Sequence, residues 1–404
     1  MKRTLLRVLL LALSLLTLVF ACLGCAAAAP APTPEPTPEP TAAPTPTPTP
    51  IVSFPNRVAV PANAKTVDLS ALCSDQVDEA LRALKQMTGP ETLELGSERE
   101  DGPSWAQIAR LREAAPGAVL RYRFTLYDRA VTLEDETLDL NHIEMDDNGA
   151  HVREVIACMP RLKWLCMDSC GVDNEHMAAI RDDFPSVEVV WRVWFGWVYT
   201  VRTDVEKILA SKASWGGELT SHDVSVLRYC TKVRYLDLGH NNNIDDISFV
   251  RNMPDLEVCI LAMNDLTDLS PLADCPKLEY LELFHNYHLR DLSPLAGLKN
   301  LRHLNVSNCW ELDDISPLYG LELERLYIGA LTKVPAGQIA EYRRLHPDCE
   351  VEDTLYEGSE ATWRFTDMTS DELVPRYALL REQFGYDLLE YSVFWMDPYY
   401  EPND

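Results

Sequence analysis

Basic residues are in short supply. The 404-residue chain has 36 Lys and Arg against 63 Asp and Glu, a formal net charge of −27. So acidic a surface repels phosphate backbones and anionic headgroups, which excludes nucleic acid and a bare anionic bilayer as partners of the folded part. Catalytic signatures are missing as well. There is no GxSxG, no HExxH and no phosphate-binding glycine loop, and the many carboxylates are scattered over caps and surfaces. The folded part has no CxxC and no Cys/His cluster with ligand spacing, so its cysteines spell neither a metal nor a redox centre. The chain is read as a non-enzyme without cofactor or metal.

What is present begins with an address. Residues 1–25 join a basic start (Lys2, Arg3, Arg7) to an uncharged apolar run from Val8 to Leu23, the pattern of an export signal. Its end, from Val19 to Ala26, resembles the lipobox of bacterial lipoproteins, in which a small residue precedes a cysteine that becomes diacylated. Cys25, after Gly24, is the favoured lipidation site, and Cys22, after Ala21, is the alternative. An uncleaved apolar anchor is the plainer reading, since about 20 apolar residues span a bilayer. Either way the rest of the chain is expected on the outer face of the cell membrane, in a Gram-positive bacterium. Residues 26–50 contain only Ala, Pro, Thr and Glu, a composition that buries nothing and favours a polyproline II spacer of roughly 75 Å. The final Tyr400-Glu401-Pro402-Asn403-Asp404 has no LPxTG-type sorting signal, so anchorage is expected at the N-terminus.

From Val233 one phrase recurs: VRYLDLGHN, LEVCILAMN, LEYLELFHN, LRHLNVSNC and LERLYIGAL start at Val233, Leu256, Leu278, Leu301 and Leu323. An apolar triplet closed by Asn or Cys, at a period of 22 or 23 residues, is the leucine-rich repeat signature. Residues 233–331 resemble the short repeats of bacterial internalins. Upstream, three phrases recur about 70 residues apart. Val67-Asp68-Leu69 returns as Leu138-Asp139-Leu140, Leu93-Glu94-Leu95 as Leu165-Cys166-Met167, and APGAVLRYRF (115–124) as FPSVEVVWRV (184–193). Helices are expected over Gln76–Met87, Trp105–Ala114, Val152–Met159 and Asn174–Asp183, which gives longer units that resemble ribonuclease-inhibitor-style repeats. The resulting expectation is an α/β leucine-rich repeat solenoid, with a curved parallel sheet on its concave face, helices and 3-10 turns on its convex face, and an aromatic C-terminal cap. The expected divisions are 1–25 signal, 26–50 spacer, 51–211 long duplicated repeats, 212–351 short repeats and 352–404 cap, because an open solenoid must cover its last layer.

Within each short unit the leucines point inward, while Asn241, Asn264, Asn286 and Cys309 form a structural ladder along the turns. Cys230 and Cys275 share a slot with Met253 and Leu298, Cys259 replaces a strand leucine, and Cys170 also closes a triplet, so these cysteines read as small buried hydrophobes. Serines in Asp-apolar-Ser steps, three of them before Pro271, Pro294 and Pro317, are read as helix N-caps. Thr203-Asp204 and Ser221-His222-Asp223 are further caps in a helical 201–232.

Strand side chains alternate, so the residues between the leucines are expected to face solvent on the concave side. They are Tyr235, Asp237, His240, Val258, Ile260, Tyr280, Glu282, Phe284, His285, His303, Asn305, Arg325 and Tyr327. So many apolar and aromatic groups on an open face mark a contact surface for a protein or peptide ligand; the plainer reading is that the C-terminal tail or the spacer covers them. The rival readings are a glycan platform in the aromatic stretch Trp191–Tyr199, whose plainer role is packing, and a surface hydrolase with an unrecognised site.

Overall fold

The computed structural model describes residues 48–196, 199–211, 219–354, 363–366 and 372–385. Contacts divide the chain into Met1–Pro48 and Thr49–Asp404, and the described strands and helices lie in the second unit. The export signal, Cys22, Cys25 and the Pro/Thr stretch through residue 47 lie outside the described residues, as do Trp197, Val198 and the chain from Tyr386 onward.

An antiparallel ribbon of β1 (Ile51–Ser53) and β2 (Ala59–Pro61) opens the unit. Two blocks of like construction come next. In the first, β3 (Thr66–Asp68), β4 (Thr92–Ser97) and β5 (Val119–Leu126) are parallel and are joined through α1 (Val77–Leu84) and α2 (Trp105–Ala114). In the second, β7 (Thr137–Asp139), β8 (Trp164–Cys166) and β9 (Glu188–Val190) are joined through α3 (Ala150–Ile156) and α4 (Asn174–Asp183). Each block closes on an antiparallel turn. Strand β5 doubles back into β6 (Arg129–Thr132), and β9 is followed by the hairpin of β10 (Arg192–Phe195) and β11 (Tyr199–Arg202). Residues 192–195 and Tyr199 of the aromatic stretch therefore belong to the hairpin that closes the second block.

Local chemistry sets the helix starts. Ser104 and Gln107 cap each other's backbone at the start of α2, and the Asp173 carboxylate accepts the His176 N–H at 2.9 Å at the start of α4. These two helices span the residues expected of them, whereas α1 is shorter than expected and α3 begins two residues early, on Gly149 in the left-handed region.

The third part is a seven-stranded parallel sheet: β12 (Lys207–Leu209), β13 (Tyr235–Asp237), β14 (Val258–Ile260), β15 (Tyr280–Glu282), β16 (His303–Asn305), β17 (Arg325–Tyr327) and β18 (Glu350–Glu352), paired in sequence order. Residues 201–232 differ from the helical expectation. Where described, they form β11, β12, the four-residue α5 (Ser221–Val224) and one 3-10 turn, and the cap is Thr220 paired with Asp223. The middle residue of each strand from Ile208 to Leu326 is buried, and a fully buried leucine stabilises by about 1.5–3 kcal/mol. The chain returns along the convex side through 3-10 turns at Ser248–Asn252, Ser270–Asp274, Ser293–Gly297 and Ser316–Gly320, then through α6 (Ala336–Leu345). The serines do not cap these turns. The aspartate two residues upstream does: Asp268 accepts the N–H and O–H of Ser270 at 2.8 and 2.9 Å, and Asp291 and Asp314 treat Ser293 and Ser316 in the same way. Those bonds, from the serine backbone first, hold Asp268 and Asp314 below the usual carboxylate range.

Six strands share one exit turn. Four residues after the central residue of β7, β8, β13, β14, β15 and β16 stand His142, Ser169, His240, Met263, His285 and Asn308, each with φ between 53° and 62°. Side chains rarely adopt the left-handed region, so the shared value is imposed by the repeat and ties the long units to the short ones. Beside it runs the amide ladder. Asn241 Nδ2 donates to Leu238 O and Ala210 O, Asn264 Nδ2 to Leu261 O and Leu238 O, and Asn286 Nδ2 to Leu283 O and Leu261 O, at 2.7–3.1 Å. Cys309 continues the series with Sγ 3.4 Å from Leu283 O. All nine described cysteines are free thiols and seven are buried; burial pushes Cys230, Cys275 and Cys309 up to about 12.

Candidate binding face

The strand register lays two rows of side chains across the concave face. One reads Lys207, Tyr235, Val258, Tyr280, His303, Arg325 and Glu350, and the other Leu209, Asp237, Ile260, Glu282, Asn305, Tyr327 and Glu352. The sequence leads one to expect these side chains in solvent. They are not. Asp237, Val258, Ile260, Tyr280, Glu282, Phe284, His303, Asn305, Arg325 and Tyr327 are all buried, and only Tyr235, His240 and His285 of the thirteen keep partial exposure.

Much of the cover is the chain's own C-terminal segment. Trp363 packs against Tyr280, Tyr327 and His303, with ring centroids 5.5, 4.9 and 6.4 Å away, and the Arg325 guanidinium lies 5.1 Å over its indole. Its indole N–H donates to Glu282 Oε1 at 2.8 Å, and its carbonyl accepts from Arg325 Nη1 at 2.8 Å. A short antiparallel bridge between Phe365 and Leu373 then leads into α7 (Pro375–Phe384), which ends on Gly385 with φ 69°. Arg376 lies 5.7 Å over the Tyr280 ring and 3.9 Å from Glu279. At the far end of the helix, Gln383 Nε2 donates to the Tyr235 hydroxyl at 3.2 Å and the Gln383 carbonyl accepts from Lys207 Nζ at 3.1 Å, while Phe384 meets the edge of Tyr235. The segment thus returns across the face from β17 to β12. The region expected to cap the open end does its described packing here.

Buried charge holds it in place. Glu282 is fully buried, accepts from the Tyr280 hydroxyl as well as from Trp363, and faces Arg364 Nη2 at 3.6 Å. Arg325 forks onto Glu350 at 2.7 and 3.2 Å and donates to the Tyr327 hydroxyl at 3.0 Å. Burial pushes the Tyr280 phenol well above its usual value. Burial, reinforced by Arg376 and Arg325, pushes the His303 imidazole down to about 4, so it is neutral at pH 7. Among the described residues no group of three His, Cys, Asp or Glu side chains is arranged to hold a metal ion, and His240, His285 and His303 make none.

Sequence reasoning gave the aromatic 352–404 region the cap at the solenoid's end, with cover of the concave face only as the plainer alternative; Arg364, Arg376 and Gln383 went unnoticed. The signal lay in Val258, Ile260 and Tyr280 themselves, too apolar for an open sheet. The rival platform fares differently. Trp191, Val193, Phe195 and Tyr199 are buried, with Trp191 Nε1 donating to Asn174 Oδ1 at 2.9 Å and Phe195 stacked on Tyr199 at 5.2 Å. Trp194 alone of the described aromatic residues in that stretch is exposed, so packing accounts for it.

No curated protein sequence matches the chain. Among solved structures it is similar to an internalin from Listeria monocytogenes at 17% identity, covering 75% of this chain and 86% of that one, with a TM-score of 0.32. Internalin C2 of the same organism is similar at 16% identity, covering 71% and 96%, with a TM-score of 0.30. A leucine-rich repeat protein of Leptospira interrogans is similar at 17% identity, covering 67% and 74%, with a TM-score of 0.33. Residues 276–320 match the family model described as Leucine Rich repeats (2 copies). With that match lying on the seven-stranded parallel sheet and its 3-10 turns, the fold is a leucine-rich repeat solenoid, a scaffold suited to protein interaction.

Proposed function

We propose that this chain is an exported, membrane-tethered bacterial protein that binds a protein or peptide ligand through its concave face, and that its C-terminal segment holds this face until the ligand displaces it. Export and tethering rest on the basic-apolar start, the Cys25 or Cys22 lipidation signal and the Pro/Thr spacer. No helix among the described residues is long and apolar enough to cross a membrane. The observation that carries the binding reading is the occupant: the face already seats a polypeptide by one buried indole, a carboxylate and two guanidiniums. Aromatic and Arg anchors in desolvated pockets are how peptide grooves obtain affinity. A segment tethered in cis has a high effective concentration, so a competing ligand must bind substantially tighter than the tail does.

The test uses a labelled synthetic peptide of residues 363–385. The intact protein should leave it unbound, because its own tail fills the groove. A Trp363→Ala protein, with the tail loosened, should capture the peptide, and adding Tyr280→Ala and Glu282→Ala should abolish capture. Failure of the Trp363→Ala protein to bind the peptide, with its tail shown by proteolysis to be released, would remove the peptide-groove reading.

A further inference from the structure

A pair of aromatic rings stands in the open on the loops that leave β15 and β16. Tyr287 and Trp310 have ring centroids 4.3 Å apart at an angle of 41°, and they are 37% and 50% exposed. The fold does not require aromatic residues there. Counting seven residues back from the turn serines Ser248, Ser293 and Ser316 gives the ladder residues Asn241, Asn286 and Cys309. The slot after each holds Asn242, Tyr287 and Trp310. The Asn241 unit thus carries an asparagine, in the left-handed region at φ 62°, where the other two units carry rings, so an aromatic residue is not a fixed part of the repeat.

They are nevertheless held in position. The Asn308 amide donates to His285 Nε2 at 3.0 Å, which leaves Nδ1 to donate to the Tyr287 hydroxyl at 3.1 Å. The Glu311 backbone N–H donates to Tyr287 O at 3.2 Å and so fixes one loop to the next. Polar groups rim the rings: Glu311 lies 3.2 Å from His288 Nδ1 and 2.9 Å from Arg290 Nε, and His288 and Arg290 are exposed. Acid and bases offset one another at this rim. The exposed area is two partly covered rings, far short of the roughly 800 Å² per partner that a stable protein interface buries.

We propose that Tyr287 and Trp310 form a stacking platform for an uncharged pyranose unit of a polysaccharide, with Glu311, His288 and Arg290 meeting its hydroxyls. The axial C–H bonds of a sugar carry partial positive charge and rest against the negative faces of aromatic rings. Carboxylate, imidazole and guanidinium supply acceptors and donors at the ring's edge, as hydroxyl recognition requires. An anionic glycan fits poorly, because the chain as a whole carries −27. The platform borders the concave face at His285, which keeps partial exposure, and does not depend on release of the tail.

The test is calorimetric titration of the full chain with cellohexaose, chitohexaose, xylohexaose and mannohexaose. At least one should bind. Trp310→Ala should weaken that sugar about tenfold, the equivalent of about 1.4 kcal/mol for a lost stacking ring. Tyr287→Asn, the residue at the matching place of the Asn241 unit, should weaken it by a smaller factor, and Trp194→Ala should leave affinity unchanged. The proposal is overturned if none of the four sugars binds, or if Trp310→Ala binds as well as the parent. A dimer in sedimentation that disappears in Trp310→Ala would also overturn it, since the rings would then be a protein contact.

Discussion

The indole N–H of Trp363 donates to a carboxylate oxygen of Glu282 at 2.8 Å, 81 residues away in sequence, and both residues are sealed from solvent. A carboxylate in the middle of a concave sheet is costly to bury unless donors converge on it. Here they come from two directions: the Tyr280 hydroxyl from the sheet, and the Trp363 and Arg364 side chains from the tail. The tail is therefore part of the electrostatic balance of the face, and removing it exposes a charged, aromatic groove.

Trp363→Ala should loosen the C-terminal segment and leave the repeats folded. Truncating a buried tryptophan costs about 3–5 kcal/mol, and the Glu282 carboxylate loses a donor as well. The expected outcome is rapid protease cleavage after residue 354 with a stable solenoid remaining. A parent-like digestion pattern would show that Trp363 is not the anchor.

Acid should loosen the same contact through His303. In the folded chain its imidazole titrates near 4 because of burial and the adjacent Arg376 and Arg325; unfolded, it titrates near 6.5. Glu324, 3.5 Å from Nε2, and Glu350 pull the other way without cancelling this. Because the folded value is the lower one, the contribution is complete above pH 6.5 and is lost as pH falls from there through 4. Its full size is about 3 kcal/mol. Denaturant melts between about pH 7.5 and 4.5 span most of that loss. His303→Phe should flatten the profile over that window, and an unchanged slope in that variant would assign the effect elsewhere.

The amide ladder predicts unequal losses from equal substitutions. Asn286 donates to Leu283 O and Leu261 O and also accepts from Leu266 N at 2.9 Å, whereas Asn264 Oδ1 has no hydrogen-bond partner in the structure. The unit that begins at Asn241 is one residue longer before its turn serine than the one at Asn264, which shifts the backbone that Asn264 Oδ1 would otherwise reach. Each buried group left unsatisfied costs about 1–3 kcal/mol. Asn286→Ala should therefore destabilise more than Asn264→Ala by roughly one such increment, and equal losses in chemical denaturation would contradict this account.

The repeat was legible because it is local: the central apolar residues of β13 to β17 recur every 22 or 23 residues, and Asp173 and Ser104 announce α4 and α2 within a single turn. Whether a ligand or the tail covers Tyr280 and Glu282 was left open, because strand alternation says which side of a sheet a residue faces but not what lies against that side. A tail that returns to β15 from far along the chain leaves no periodic mark on it. For Trp191–Tyr199 the packing reading stood beside the glycan platform, since a hairpin of buried rings and a row of exposed rings have the same composition.

The hairpin of the second block supplies the last prediction. Arg192 on β10 forks onto Asp168, with Nε 3.1 and 3.0 Å from the two carboxylate oxygens and Nη2 at 2.8 Å, and both side chains are 7% exposed. Asp168 follows β8, so this pair joins the hairpin to the end of the second block's sheet. Deleting one partner of a buried pair leaves the other charged in a dry site, which costs about 3–5 kcal/mol, whereas replacing both by apolar groups of similar volume is often neutral. Asp168→Ala should thus be strongly destabilising in denaturant melts. The double variant Asp168→Leu with Arg192→Met should recover most of that loss, because Val193, Phe195 and Tyr199 already pack the hairpin without help from charge. If the double variant is as unstable as the single one, the ion pair is needed for the geometry of the hairpin itself, and apolar packing does not suffice to hold it.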